Sequence, residues 1–159
     1  MTANRIVSPQ YRSSIIAISL VIVFAIAAIF LTRPQTDTTR LSPVSGLMAL
    51  RTSAQSAMPY AQAMTNQKPT LIEFYADWCT TCQSLAPTLA TVHDEFNPNL
   101  NFVMLNIDDP QWRSHIQQFQ VNGVPHLVLL NPDQTVADSF VGRVPLSILR
   151  DHVANLLHS

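Results

Sequence analysis

The longest apolar segment of the chain lies near its N-terminus. Residues 15–31 (IIAISLVIVFAIAAIFL) form a run of seventeen positions without a charge, flanked by Ser13, Ser14 and Thr32. As a helix this run is about 26–30 Å long, which matches the hydrocarbon core of a bilayer. It is apolar on every side, whereas a surface helix of a globular domain carries a polar face. We therefore predict a transmembrane anchor over residues 15–32.

Two other interpretations of this segment stay open. The apolar part of a cleaved signal peptide is usually about 7–15 residues long and precedes a cleavage site of small residues. Here the run continues into Leu31-Thr32-Arg33-Pro34, which is a poor cleavage context. A buried core helix is the second alternative, but the run shows no amphipathic pattern. The anchor fits the sequence best.

Positive charges indicate how the anchor is oriented. Arg5 and Arg12 precede the span without an acidic residue, while Arg33 and Arg40 follow it together with Asp37. Because Lys and Arg favour the cytoplasmic side, residues 1–14 are predicted to be a cytoplasmic N-terminus and the rest to be extracytoplasmic. Residues 33–159 carry seven Lys and Arg against ten Asp and Glu, a formal charge of −3. With no basic stripe, this part of the chain is not expected to bind nucleic acid.

After the anchor the pattern changes from a polar tether to alternating strands and helices. Residues 33–46 are rich in proline and hydroxyl side chains and are predicted to be a linker. A helical region follows at about 47–66, where Pro59 fits the first turn of a second helix. Apolar runs predict strands over 70–76, 101–107, 126–130 and 135–141, and helical spacing predicts helices over 79–96, from 110 and over 145–157. The order predicts an α/β domain over 47–159, in which helices separate the first three strands and a hairpin supplies an antiparallel edge.

The only two cysteines of the chain, Cys79 and Cys82, are three positions apart. A c-type haem attachment needs a histidine after the second cysteine, but Gln83 stands there. A structural zinc site normally needs four ligands, and the five histidines show no ligand spacing, so no metal is predicted. A purely structural disulfide across so short a loop would stabilise the fold least. Redox chemistry is the remaining use, and it requires no cofactor.

The position of the cysteine pair favours this chemistry. Cys79 is predicted at the start of a helix that follows a strand, and Cys82 lies one turn later on the same face. Unpaired backbone N–H groups and the helix dipole stabilise a thiolate at that end, and the thiolate is the species that attacks disulfides.

Four motifs resemble those of the thioredoxin family. They are FYADWCTTCQSLAP (74–87), VMLNIDD (103–109), VNGVPHLVLL (121–130) and FVGRVP (140–145), and the resemblance covers about residues 68–158. With an N-terminal anchor, the chain is similar to the membrane-anchored thioredoxin-like proteins of the TxlA type in cyanobacteria and to their plant thylakoid relatives. The YADWC string is also similar to the C-terminal domain of the DsbD electron-relay proteins.

The resemblance implies a thioredoxin fold, with a central mixed sheet flanked by helices, and a role for six residues. Cys79 is expected to attack substrate disulfides, and Cys82 to resolve the product and to form the Cys79–Cys82 disulfide. Glu73 occupies the place of a buried acid that exchanges a proton with Cys82; burial in an apolar strand should raise its pKa. The alternative is that Glu73 faces solvent from a strand end. The last three implied residues belong to the substrate-binding surface, with a cis peptide bond before the proline: Trp78, Val124 and Pro125.

Some positions depart from the pattern of the thioredoxin family, and others have an alternative role. Thr80 and Thr81 stand between the cysteines where thioredoxin usually has Gly-Pro, and Met104 replaces a lysine beside the buried acid. Glu73 is thus expected to lack a cationic partner. Trp78 has core packing as its alternative role, and His126 is expected to be an ordinary strand residue, with tuning of the site as its alternative role.

Together these features predict a single-pass membrane protein that reduces protein disulfides in the periplasm or the thylakoid lumen. The resemblance implies electrons from a membrane thiol carrier of the CcdA type. It also implies clients among apocytochromes or photosynthetic complex subunits, so that the protein would support the assembly of cytochromes or photosynthetic complexes. Two alternatives stay open: a disulfide oxidase or isomerase, and an assembly factor that binds membrane complexes with redox activity secondary.

Overall fold

The structure is a computed structural model that describes Ile22 and residues 43–158. The strands are β1 (Thr70–Tyr75), β2 (Asn101–Asn106), β3 (His126–Leu130) and β4 (Val136–Val141). The helices are α1 (Pro43–Ser56), α2 (Tyr60–Ala63), α3 (Thr80–Phe96), α4 (Arg113–Gln118) and α5 (Leu146–His158), and a 3-10 turn over Pro110–Trp112 precedes α4. The predicted elements are thus present, with ends that differ by one to a few residues.

The four strands form one mixed sheet in the order β2-β1-β3-β4. β1 and β2 are parallel, since the 17-residue helix α3 spans about 25 Å and returns the chain to the start of the next strand. β3 runs antiparallel to β1, and β4 antiparallel to β3. The predicted hairpin is confirmed, but the antiparallel pairing of β3 with β1 did not follow from the order of elements. The six-residue helix α4 rises only about 9 Å, too little to carry the chain back along a whole strand.

Each face of the sheet has its own apolar core. One face packs Leu71, Phe102, Leu127 and Leu129 against residues of α3 and α5, among them Leu85, Leu89, Leu149 and Val153. The opposite face packs Ile72, Phe74, Val103 and Val128 against residues of α2, the 3-10 turn and α4, among them Ala63, Trp112 and Ile116. The alternation along each strand therefore separates two layers of side chains, and α3 lies on the first.

Helix α1 packs against α3 and enlarges the domain at its N-terminal side. It begins at Pro43, so the last four residues of the predicted linker over 33–46 are helical. This first turn packs closely on α3, since a Cβ atom on Gly46 would lie 3.1 Å from the Cβ of Gln83. Leu50, one turn later, is fully buried in a cluster with both cysteines.

The predictions for the segment before α1 fall outside the described residues, apart from Ile22. They concern the cytoplasmic N-terminus over 1–14, the anchor over 15–32 and most of the linker. Among the residues that the structure describes, no helix is both long and apolar enough to cross a membrane.

One strand carries a carboxyl group into the core. Glu73 is completely buried, between Met104 of β2 and Leu127 of β3, so the alternative of a solvent-facing strand end is wrong. Neither carboxyl oxygen has a hydrogen-bond partner in the described part of the protein. Burial raises the pKa of Glu73 from 4.5 to about 8, because the charged form loses its hydration. The strand register places Met104 opposite this acid.

We predict that Glu73→Gln stabilises the protein progressively as the pH rises from 4.5 to 8. In this range the unfolded chain has released the Glu73 proton and the folded protein still holds it, so the wild type loses stability as the pH rises. The difference in the free energy of unfolding between variant and wild type should grow by on the order of 3–5 kcal/mol over this pH range. Denaturant unfolding of the oxidised proteins at a series of pH values measures it. Asp94→Asn, on the exposed side of α3, is the control; a difference for Glu73→Gln that stays constant with pH would contradict the prediction.

Candidate active site

The cysteine pair lies where β1 leads into α3. Cys79 is the N-cap of the helix, one position before the first helical residue, and Cys82 lies in the first turn. The Cys79 sulfur accepts a hydrogen bond from the Cys82 backbone N–H at 3.0 Å, and the two residues are joined by a disulfide. The predicted placement at a helix start is therefore confirmed. A sulfur in this position meets the unpaired N–H groups and the positive end of the helix dipole, which favour a thiolate after reduction.

The two sulfurs differ in their surroundings. Cys82 is completely buried, whereas Cys79 retains about 6% of its surface. Both belong to an apolar cluster with Leu50, Tyr75 and Ala86. The residues between them, Thr80 and Thr81, are exposed. A substrate can therefore reach the Cys79 sulfur more readily than the Cys82 sulfur.

The segment before β3 borders this cluster. The Val124–Pro125 peptide bond is cis, as the resemblance implied. Val124 is half-buried and packs against the cluster that contains both cysteines, while Pro125 is buried and its carbonyl accepts the Gly142 N–H at 2.8 Å. The chain is thus held beside the cluster that contains the disulfide.

Trp78 lies on the surface next to Cys79, so its alternative role in core packing is wrong. It is 64% exposed, and its Nε1–H donates to Oδ2 of Asp108 at 2.9 Å. The indole forms one side of a groove with a volume of about 530 Å³. The groove is apolar except for one amide side chain, and it is lined by Trp78, Ile107, Ile116, Val121, Asn122, Gly123 and Val124. A substrate segment with apolar side chains would fit this surface beside the reactive sulfur.

The buried acid and the histidine lie on opposite faces of the sheet. Glu73 is two positions from Leu71 and two from Tyr75, which both face α3, so its carboxyl group shares the layer of the cysteines. His126 pairs with Phe74 on the other face, and its Nε2 is 2.8 Å from the Ser139 hydroxyl. Burial lowers the pKa of His126. The structure therefore brings Glu73, but not His126, to the layer of the cysteine pair.

Sequence reasoning missed two residues that hold the loop between β1 and α3. Arg51 of α1 donates two hydrogen bonds to Oδ2 of Asp77, at 2.8 and 3.1 Å. Gln83 donates from its Nε2 to the Asp77 carbonyl at 2.7 Å. Only the position of Asp77, two residues before Cys79, was a local signal; the partnership with a residue 26 positions earlier was not visible in the sequence.

The described residues bring no group of three or more His, Cys, Asp or Glu side chains together as metal ligands. The site contains the cysteine pair, Cys79 and Cys82, and the buried carboxyl group of Glu73. These groups can exchange a disulfide and transfer the accompanying proton.

Comparison with known proteins agrees with this geometry. A family model described as Thioredoxin matches residues 51–155, about two thirds of the chain. The chain is 40% identical over 110 residues to the thiol:disulfide interchange protein TxlA homolog of a Synechocystis species, covering 69% of this chain and 61% of that protein. It is 40% identical over 111 residues to the chloroplastic thioredoxin-like protein HCF164 of Oryza sativa, covering 70% and 42%. It is 33% identical over 159 residues to the thiol:disulfide interchange protein TxlA of Synechococcus elongatus, covering all of this chain and 78% of that protein.

The chain thus spans about two fifths to three fifths of the length of the first two relatives. The matched region contains the two cysteines, the buried acid and the cis-proline segment described above. The protein is a member of the thioredoxin family.

Proposed function

We propose that this protein is a thiol–disulfide oxidoreductase that reduces disulfides of other proteins through Cys79 and Cys82. The observation that carries the proposal is the position of the pair at the N-terminus of α3, with the more accessible sulfur accepting an N–H of the helix. The relatives named thiol:disulfide interchange proteins support the same reaction.

The reaction has two exchange steps. The Cys79 thiolate attacks one sulfur of the substrate disulfide, forms a mixed disulfide and releases the other substrate sulfur, which takes up a proton. Cys82 then loses its proton and attacks the Cys79 sulfur, which releases the second substrate thiol. The substrate gains two electrons and two protons, and the enzyme ends with the Cys79–Cys82 disulfide that the structure contains.

Glu73 is proposed to take up the proton of Cys82 in the second step. Cys82 is completely buried, so water has little access to its thiol, while the carboxyl group lies in the same layer. With a pKa of about 8, Glu73 is near the pH at which a proton can move in either direction. Trp78, Val124 and Pro125 are proposed to hold the substrate segment beside Cys79.

The proposal also includes the compartment in which the reaction takes place. The apolar run over 15–31 would anchor the chain, and Arg5 and Arg12 before it would keep the N-terminus in the cytoplasm. The domain would then act in the periplasm or the thylakoid lumen, and one of the relatives is named a chloroplastic protein. A membrane dithiol carrier of the CcdA type would reduce the Cys79–Cys82 disulfide again, and apocytochromes or photosynthetic subunits would be clients.

The first prediction of the proposed function concerns the order in which the two cysteines attack. Cys82→Ser should accumulate covalent complexes with client proteins, because attack by Cys79 remains possible and resolution does not. Cys79→Ser should form none. Non-reducing gels of alkylated full-length protein, compared with the double Cys→Ser variant, measure the complexes.

Two results of this experiment would contradict the assignment. If Cys79→Ser traps partners and Cys82→Ser does not, the attacking and resolving roles are reversed. If neither variant traps a protein although wild-type Cys79–Cys82 can be reduced, exchange with protein disulfides is not the function.

The second prediction tests the proton transfer. Glu73→Gln should slow resolution of a preformed mixed disulfide at Cys79 by about tenfold or more near pH 8, because the amide cannot accept the Cys82 proton. The ionisation near pH 8 should also disappear from the rate profile. Stopped-flow rates from pH 6 to 9 measure both effects, with Asp94→Asn as the surface control. An unchanged profile would mean that Glu73 is only a buried strand residue.

The third prediction tests orientation. In intact membranes, a protease added from the extracytoplasmic side should degrade the domain over residues 47–159, and one added from the cytoplasmic side should not, because the positive residues before the anchor stay in the cytoplasm. Immunoblotting of the domain measures its survival. Digestion from the cytoplasmic side of sealed membranes would overturn the assignment.

A further inference from the structure

The loop between β1 and α3 is attached to a helix that is distant in sequence. Arg51 of α1 donates from Nε and Nη2 to the same carboxylate oxygen of Asp77, at 3.1 and 2.8 Å. Leu50, the neighbour of Arg51, is completely buried in the cluster that contains Cys79 and Cys82. Because Leu50 is buried there, the backbone at Arg51 is held beside the loop.

The residue that Arg51 contacts is close to Cys79 in the chain. Asp77 is two residues before Cys79, so their Cα atoms are at most about 7.6 Å apart. A negative charge in the neighbourhood of a thiol opposes the formation of a thiolate, and a paired cation offsets the effect. The pair also acts on the neighbouring tyrosine: burial raises the pKa of Tyr75, Asp77 raises it further, and Arg51 works in the opposite direction.

We propose that Arg51 is a positioning residue for disulfide exchange, which holds and neutralises the Asp77 carboxylate and thereby favours the Cys79 thiolate. The inference rests on the proposed function, since it assigns a residue to that reaction. It gives α1, which precedes the strands of the sheet, a part in setting the reactivity of the cysteine pair.

Other charged or titratable groups surround the same sulfur and must be held constant in a test. β1 contributes a buried carboxyl group and a phenol, and the segment after β2 contributes the carboxylate that accepts from Trp78; the first turn of α3 holds no acidic residue. These groups are Glu73, Tyr75 and Asp108. None of them is altered in the variants below.

The test is the pH dependence of Cys79 alkylation by iodoacetamide in the reduced full-length protein, with the modified cysteine identified by mass spectrometry. Arg51→Met should move the midpoint of the rate profile to higher pH and slow alkylation at pH 7 by about two- to fivefold, because Asp77 is left without its cation. High salt should shrink the difference, since both side chains are partly exposed.

The chain contains a matched control. Arg150 of α5 pairs with Glu95 at 2.6 Å, and its side chain is 43% exposed against 54% for Arg51, with both carboxylates at 39%. This second pair joins α5 to the last turn of α3, at the opposite end of that helix from the cysteines. Arg150→Met should therefore leave the alkylation profile unchanged. An equal shift in this variant would overturn the proposal, because it would show a general effect of surface charge.

A double variant separates charge from folding defects. Arg51→Met combined with Asp77→Asn should return the midpoint towards the wild-type value, and Asp77→Asn alone should not raise it. If Arg51→Met leaves the profile unchanged, or if the double variant keeps the full shift, the proposal is wrong. Because iodoacetamide reacts without a protein substrate, these outcomes are independent of whether the trapping experiment finds client proteins.

Discussion

Helix α3 packs on the sheet through Leu85, Leu89 and Val92, and a loop of four residues connects the end of β1 to its first turn. This packing places the unpaired N–H groups of the helix next to Cys79, which serves as the N-cap. The sulfur therefore satisfies a backbone donor in the folded protein, and after reduction the same donor favours the thiolate. The rest of the site depends on this junction, because α1, the cis-proline segment and the Trp78 groove all meet at it.

The burial of Glu73 is a cost to stability that the fold tolerates. A carboxyl group between Met104 and Leu127 has no hydrogen-bond partner among the described residues, and keeping its proton avoids a buried charge. The cost is consistent with a group retained for proton transfer, since perturbed pKa values often mark functional sites. Met104, which lies opposite the acid in β2, carries no charge that would lower this pKa.

The features that sequence predicted are mostly local. Cys79 and Cys82 lie within one helical turn, so their spacing and the preceding apolar strand predict a shared face at a helix start. Short apolar runs predicted all four strands of the described domain, since each run depends only on its own residues. The direction of β3 and the first turn of α1 were not predicted from the sequence, because both depend on how distant elements pack.

Tertiary structure determined which residues surround the reactive sulfur. Ile107, Ile116 and Val121 read as ordinary core positions in the sequence, and only the folded chain brings them with Trp78 to one groove. Arg51 reads as a solvent-exposed charge on a helix, and it reaches Asp77 because Gly46 permits close contact between α1 and α3. Local spacing thus determined the chemistry of the cysteine pair, whereas contacts between segments far apart in the chain determined its surroundings, because side-chain periodicity carries no information about which helix lies beside which loop.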